Sequence, residues 1–331
     1  MKRLAIIIPA YKENFLFETL QSLANQTNKD FNVYVGDDCS PYDLQSIVSR
    51  FEDRLDIHYV RFSENLGRAN LIAHWNRCVE LLQGEEYFCF FSDDDLMESH
   101  CIEKFYEILN SDVREDVYHF DINIIDENSK LIRTCPSFPE KISSIAFFKL
   151  LYSCQIDARM PEFIFNTRHF YECGGFVEFD LAFRSDNATV MSCAQVKGIY
   201  TIPSARVLWR DSGQNISSVK DEKLDIKYRK VKATLTFHNW LDIFLKRNHL
   251  DFPFSLSRRR KLILGEIITL YPEYSFKKLS IILLSFKKLK QNPFLLLYYW
   301  IDLVFLICKR RSRNNEGVSN FNVYHHRQQI G

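Results

Sequence analysis

The stretch that decides the fold is residues 4–38, which read LAIIIPAYKENFLFETLQSLANQTNKDFNVYVGDD. It begins with a continuous apolar run, which is typical of a β-strand that is covered on both faces. Leu16, Leu20 and Leu23 then recur at helical spacing, and a second apolar run follows at 31–37. A strand, a helix and a second strand joined by short connections predict a βαβ unit within a parallel sheet.

The same alternation continues along the first two thirds of the chain. Apolar runs at 57–62 and 87–91 predict two further strands, and residues 68–83 have the spacing of an amphipathic helix. After about residue 220 the pattern becomes helical. We therefore predict an α/β fold: a Rossmann-like, mostly parallel sheet flanked by helices, with a C-terminal helical extension.

The composition is that of a globular protein. Of the 331 residues, 46% are hydrophobic, which is enough for a large core and excludes a wholly disordered chain. The formal net charge of +1 argues against a nucleic-acid binder. Nine cysteines without a C-x-x-C pair indicate free thiols in a reducing compartment. The first apolar run is too short for a signal peptide, so we expect a cytoplasmic protein.

Polar residues follow each of the four predicted strands, and in open α/β sheets ligands bind at these carboxyl ends. Neighbouring carboxylates repel one another unless a cation compensates them, and oxygen ligands without nearby His or Cys favour Mg²⁺ or Mn²⁺. Taken singly, each acidic cluster also fits a helix cap or an acidic first helical turn. Because two clusters occur together at strand ends, we predict a metal-dependent nucleotide-phosphate site. The segments are Pro9–Glu13, Asp37–Asp38, Glu64–Arg68 and Ser92–Asp95.

Four blocks of sequence resemble the family 2 inverting glycosyltransferases, which have the GT-A fold. They are IIIPAYKE at 6–13, VGDDCS at 35–40, ENLGRANLIAHWNRCVE at 64–80 and FCFFSDDDLM at 88–97. Three later segments resemble the acceptor-site block and the closing strand of that family. They are GGF at 174–176, RSDNA at 184–188 and VLWRDSGQNIS at 207–217.

The resemblance implies a role for each matching residue. Asp94 would be the metal ligand with Asp95 beside it, and Asp186 would be the general base. Ser92 and Ser185 stand where the family usually has acidic residues. Trp209 and Arg210 would lie on the diphosphate or acceptor side. The nucleotide would be bound by Pro9, Ala10, Tyr11, Glu13, Asp37, Asp38, Asn65, Gly67, Arg68 and Asp93.

The C-terminal region combines apolar and basic residues. FLLLYYWIDLVFLIC at 294–308 is shorter than the roughly twenty apolar residues that span a bilayer. Residues 276–313 contain nine basic residues and one acid. We predict a helix lying in the plane of an anionic membrane surface, with a core helix as the alternative. The expected domains are a catalytic GT-A domain at 1–219, a membrane-associating helical region at 220–313 and a disordered tail at 314–331.

The sequence thus predicts a glycosyltransferase, peripheral on the inner face of the plasma membrane. It would move a sugar from a nucleotide-sugar, UDP-linked, to a saccharide or lipid-linked glycan acceptor in surface polysaccharide synthesis. The expected reaction is a single displacement assisted by Mn²⁺ or Mg²⁺. The alternatives are a non-catalytic nucleotide-sugar-binding module and a nucleotidyltransferase with a similar sheet. The second would need a Gly-rich phosphate loop near the N-terminus, and IIIPAYKE contains none.

Overall fold

The computed structural model describes residues 2–213, 223–290 and 292–315. The chain divides into two compact units. An α/β unit comprises residues 1–178 and 185–218, and a helical unit comprises residues 179–184 and 219–331.

The α/β unit is built on one sheet, which has ten strands among the described residues. Its main path runs β3-β2-β1-β4-β9-β6-β10-β5, with β7 paired to β6 and β8 paired to β10. The strands are β1 (Leu4–Ala10), β2 (Phe31–Asp37), β3 (Asp56–Arg61), β4 (Tyr87–Phe90), β5 (Leu96–Met97), β6 (Val117–Ile125), β7 (Leu131–Thr134), β8 (Lys141–Ile142), β9 (Phe163–Asn166) and β10 (Ile199–Arg210).

The predicted α/β architecture is confirmed, and the sheet is mixed. Strands β1 to β4 are parallel to one another, as the βαβ pattern predicts. Strand β9 is antiparallel to both β4 and β6, whereas β10 is parallel to β6. The sheet therefore changes direction at β9, which lies between two strands that precede it in the chain.

Seven helices of the α/β unit are described. The first, α1, buries Leu16, Leu20 and Leu23 against the sheet, as their spacing predicts. Helix α3 begins after Asn70, whose side chain accepts a hydrogen bond from the N–H of Ala73 at 3.0 Å. The helices are α1 (Leu16–Ala24), α2 (Leu44–Val48), α3 (Leu71–Val79), α4 (Cys101–Asn110), α5 (Ser144–Tyr152), α6 (Thr167–Glu172) and α7 (Ser185–Cys193).

The register of the first strands gathers the polar loops at one edge. Residues 4–8 of β1 are completely buried, because helices cover both faces of the sheet here. Ala10 at the end of β1 pairs with Asp37 at the end of β2, which in turn pairs with Arg61 at the end of β3. The carboxyl ends of the three strands therefore lie side by side.

The helical unit has its own core. Its described helices are α8 (Leu224–Arg247), α9 (Leu256–Ile267), α10 (Phe276–Leu283), α11 (Lys287–Lys290) and α12 (Pro293–Asn315). The apolar segment predicted at 294–308 forms most of α12, which buries Tyr299, Leu303 and Ile307 in this core. No helix in the described ranges is both long and apolar enough to cross a membrane. Residues 314 and 315 end α12, and the rest of the segment predicted to be disordered lies outside the described residues.

Candidate active site

The loop after β1 is bound to the acidic turn that follows β4. The backbone N–H groups of Tyr11 and Lys12 donate to Oδ2 of Asp93 at 2.9 and 3.0 Å. The ammonium of Lys12 lies 2.6 Å from Oδ2 of Asp94 and 3.7 Å from Oδ1 of Asp93. The first and fourth predicted segments therefore meet through direct contacts.

Asp38 joins the loops after β1, β2 and β3. Its backbone N–H donates to the carbonyl of Ala10 at 2.9 Å. Its carboxylate accepts 2.9 Å hydrogen bonds from the N–H groups of Leu66 and Gly67, and it is also paired with Arg77. Burial raises the pKa of Asp38, although these hydrogen bonds and the charge of Arg77 act in the opposite direction. The four polar segments predicted from the sequence thus form one connected group.

Asp37 is completely buried, and its carboxylate is hydrogen-bonded to other groups of the protein. It accepts hydrogen bonds from the N–H of Ser40 at 2.7 Å, from the hydroxyl of Tyr59 and from Arg61 at 2.8 Å. Ser40 in turn donates its hydroxyl to the carbonyl of Tyr11 at 2.7 Å. These contacts hold the ends of β2 and β3 together, and a contact of Asp37 with nucleotide stays a prediction.

The remaining predicted nucleotide residues line the same edge. Pro9 is half-buried at the end of β1, and Tyr11 and Glu13 are exposed in the loop that follows it. Asn65 accepts a hydrogen bond from the N–H of Arg68 at 2.8 Å, which closes the turn after β3. The side chains of Tyr11, Glu13 and Arg68 are therefore accessible from solvent.

The carboxylates of the acidic turn are buried. Burial raises the pKa of both Asp93 and Asp95, and the charge of Asp94 adds to both shifts. One oxygen of Asp95 accepts from the backbone N–H of Arg210 at 2.8 Å, and the other is buried without a hydrogen-bond partner. Oxygen donors of this kind fit the chemistry of Mg²⁺ or Mn²⁺. Within the described ranges, however, no three acidic, His or Cys side chains are grouped as a metal site.

Arg210 holds the acidic turn from the side of β10. Its guanidinium is completely buried and donates from Nε to the carbonyl of Asp94 at 2.8 Å and from Nη2 to Glu18 at 2.7 Å. Nη1 donates to the loop at 126–129, and the group lies over the ring of Phe15. These contacts make Arg210 a positioning residue for Asp94, and its contact with a diphosphate stays a prediction.

Arg159 and Glu162 lie near this edge and are not among the site residues predicted from the sequence. The guanidinium of Arg159 lies 4.7 Å from the ring centre of Trp209, which is buried in the main core. The backbone N–H of Arg159 donates to Glu162 at 2.7 Å. Burial raises the pKa of Glu162 well above its usual range, and the charges of Asp186 and Asp95 add to the shift.

Asp186 lies in the first turn of α7 and is half-buried. Its carboxylate accepts a hydrogen bond from the N–H of Asn187 at 2.8 Å. The loop that follows β10 is described only as far as residue 213, so part of the predicted closing segment lies outside the described residues.

In open α/β sheets ligands bind in the crevice at the carboxyl ends of the strands, which is where these polar loops meet. Residues 5–160 match the model of glycosyl transferase family 2. Over this segment, which is just under half of the chain, the protein is similar to the family 2 glycosyltransferases.

Two relatives illustrate the sequence similarity. Validoxylamine A glucosyltransferase of Streptomyces hygroscopicus subsp. limoneus is 45% identical over 67 residues, which are 19% of this chain and 15% of that one. Poly(ribitol-phosphate) β-N-acetylglucosaminyltransferase TarS of Staphylococcus aureus is 33% identical over 98 residues, 29% of this chain and 16% of TarS. The chain spans about half or less of the length of the curated relatives that it matches first.

Solved structures share the fold. S. aureus TarS 1–349 in complex with UDP-GlcNAc superimposes with a TM-score of 0.58 at 17% identity, covering 97% of this chain and 94% of that one. GalNAc-T7 with UDP, GalNAc and Mn²⁺ gives a TM-score of 0.50 at 11% identity, covering 82% and 58%. The GT-A fold implied by the sequence is thereby confirmed.

Proposed function

We propose that this protein transfers a sugar from a UDP-linked donor to a saccharide or lipid-linked glycan acceptor in surface polysaccharide synthesis. The observation that carries the proposal is the contact group at the strand ends, where Ala10 bonds Asp38 and Tyr11 bonds Asp93. The family match supports the reaction class, and the names of TarS and its UDP-GlcNAc complex support the donor and the acceptor class.

On the donor side, the nucleoside lies against the loop after β1. Exposed Tyr11 and Glu13 contact the base and ribose, and Asp38 positions the turn at Gly67 and Arg68 that borders them. The buried carboxylate of Asp38 supports this role, because it already holds that turn through two backbone hydrogen bonds. A rigid turn presents its remaining groups to the donor in a fixed geometry.

On the diphosphate side, Asp94 with its neighbour Asp95 would hold Mn²⁺ or Mg²⁺. The Mn²⁺ bound to GalNAc-T7, a structure with the same fold, supports this assignment. When bound, the cation neutralises the charge that develops on the leaving nucleoside diphosphate. Arg210 fixes the backbone of Asp94 and so sets the direction of the carboxylate.

At the acceptor, Asp186 acts as general base in an inverting single displacement. The acceptor oxygen forms a bond to the anomeric carbon as the bond from that carbon to the diphosphate oxygen breaks. The acceptor proton passes to the carboxylate of Asp186, and an α-linked donor gives a β-linked product. The half-buried position of Asp186 in the first turn of α7 supports this role.

We further propose that the helical unit binds the inner face of the plasma membrane. Phe294, Ile301 and Phe305 on one face of α12 are 55–78% exposed, while the opposite face is buried. An apolar face flanked by basic residues is typical of a helix that lies on anionic headgroups. The exposed basic residues of this unit include Lys277, Lys278, Lys287, Lys288, Lys309 and Arg311.

The test combines donor binding with transfer. A panel of nucleotide-sugars is screened for Mn²⁺-dependent thermal stabilisation, and a UDP-sugar is expected to raise the melting temperature. Asp186→Asn should keep this stabilisation and lower transfer about 10²–10⁴-fold, because only proton removal is lost. Glu172→Gln, an exposed carboxylate on α6, is the matched control and should leave both unchanged.

The same measurements of donor binding and transfer distinguish the proposed function from the two alternative functions. A non-catalytic binding module would bind the UDP-sugar and release no UDP in the presence of any glycan acceptor. A nucleotidyltransferase would consume a nucleoside triphosphate and a sugar phosphate. Loss of donor binding in Asp186→Asn would show that the base has been misplaced.

A further inference from the structure

Lys12 is the group at the candidate site that has no assigned role. It follows β1 in the stretch PAYKE and lies 82 positions before Asp94 in the chain. Its backbone N–H and its ammonium both contact the acidic turn, the first through Asp93 and the second mainly through Asp94. A lysine held at both ends by one turn has few conformations left, so its charge stays beside these carboxylates.

The electrostatics of Lys12 are those of a counterion. Burial alone would lower the pKa of Lys12, but the attraction of Asp93, Asp94 and Asp95 outweighs burial and raises the pKa above its ordinary value. The side chain of Asp94 is only 6% exposed, and that of Lys12 is 30% exposed. The ammonium, at 2.6 Å from Asp94 and 3.7 Å from Asp93, therefore compensates part of the charge of the turn.

A divalent cation would need the same oxygen. Asp94 Oδ2 lies 2.6 Å from the ammonium, so a divalent cation on that oxygen would lie beside a positive charge and be repelled by it. The buried oxygen of Asp95 that lacks a hydrogen-bond partner is a second donor at this turn. The turn thus offers carboxylate oxygens, and Oδ2 of Asp94 is already in contact with an ammonium of the protein itself.

We propose that Lys12 is an internal cation that competes with the divalent ion for Asp94 and thereby sets the metal affinity of the site. The inference rests on the proposed function, because it takes Asp94 as the metal ligand. Metal entry requires that the ammonium leave Asp94, so the energy of that ion pair is subtracted from the energy of metal binding. Removing the charge at position 12 should therefore strengthen metal binding.

The experiment measures Mn²⁺ binding by electron paramagnetic resonance, with the full chain and without nucleotide. Lys12→Ala should bind Mn²⁺ about tenfold or more tightly than the unaltered protein, because the competing charge is gone. Lys12→Gln, which keeps the length and a polar end, should show the same gain and serves if the alanine variant is unstable. Lys12→Arg keeps the charge and should remain close to the unaltered protein.

Lys104→Ala is the matched control. Lys104 forms an ion pair of 2.8 Å with Glu107, but both side chains lie on the surface of α4 and are well exposed. Its removal changes the net charge by the same amount and should leave the affinity for Mn²⁺ unchanged. Adding Asp94→Asn to Lys12→Ala should abolish the gain, which ties the effect to this oxygen.

Equal affinity for Mn²⁺ in Lys12→Gln and the unaltered protein would overturn the proposal, and so would a gain in Lys104→Ala. Failure of the proposed function has a different signature. In that case no UDP-sugar stabilises the unaltered protein, whatever the affinities of the Lys12 variants for Mn²⁺.

Discussion

Gly67 lies against the carboxylate of Asp38 at the turn after β3. A Cβ added at Gly67 would lie 2.6 Å from Oδ2 of Asp38, and Asp38 is itself held by Arg77 and by the N–H of Leu66. The carboxylate therefore has no room to move away.

We expect Gly67→Ala to lower the free energy of unfolding by about 1–3 kcal/mol, because it forces atoms into an occupied space. It should also weaken UDP-sugar binding. Chemical unfolding and donor titration measure the two effects. Gly265→Ala in α9, where no atom lies within 4 Å of the added Cβ, should instead stabilise by about 0.5–1 kcal/mol. Unaltered stability of Gly67→Ala would show that the turn adjusts.

The convergence of polar residues was predictable from sequence, but their partners were not. Apolar runs end just before Asp38 and Asp93, and parallel strands bring such ends to one edge. Which side chains then pair depends on contacts between residues far apart in the chain, such as Arg210 with Asp94 across 116 positions. One signal was available for Lys12. Three carboxylates require a cation, and Lys12 is the only lysine in the four polar segments.

At the scale of elements, strand β10 carries Arg210 into the interior, where it holds the acidic turn. Arg210→Met should lower the free energy of unfolding by about 1–3 kcal/mol, because it leaves the buried carbonyl of Asp94 without its side-chain donor. Urea unfolding measures the loss. Arg206→Met, on the same strand with a more exposed side chain and a looser 3.8 Å contact to Asp121, should cost within about 1 kcal/mol. Equal costs for the two variants would contradict the positioning role.

The strands and helices could be predicted from the periodicity of apolar residues, but the order of the strands in the sheet could not. Strands β1 and β2 occupy the residues that their apolar runs predict. Strand β9 lies between β4 and β6, and no local pattern encodes a pairing between distant segments. The start of α2 also differs from the sequence pattern. The order Ser-Pro-Tyr-Asp at 40–43 is typical of a helix capped by Ser40. Ser40 is instead bonded to Asp37 and Tyr11, and Asp43 caps the helix through the N–H of Ser46.

At the scale of the whole molecule, the exposed face of α12 predicts binding to vesicles. The unaltered protein should sediment with vesicles that contain phosphatidylglycerol, and less so at high salt. The triple variant Leu297→Glu, Ile301→Glu and Phe305→Glu should remain in solution, because it places charges on the apolar face. The double variant Leu131→Glu and Ile132→Glu alters equally exposed apolar residues of β7 and should still sediment. Equal sedimentation of all three proteins would contradict the membrane proposal.

Residues 179–184 belong to the helical unit although the chain on both sides belongs to the α/β unit. Within the helical unit, Phe179 packs on Phe237, and Asp180 pairs with Arg229 at 2.6 Å. A truncation after residue 218 would therefore remove the residues on which segment 179–184 packs. This segment ends two residues before Asp186. The two units meet at three points of the chain rather than one, after residues 178, 184 and 218. Inactivity of a chain shortened at one of these points would therefore say nothing about whether the acceptor binds the part removed.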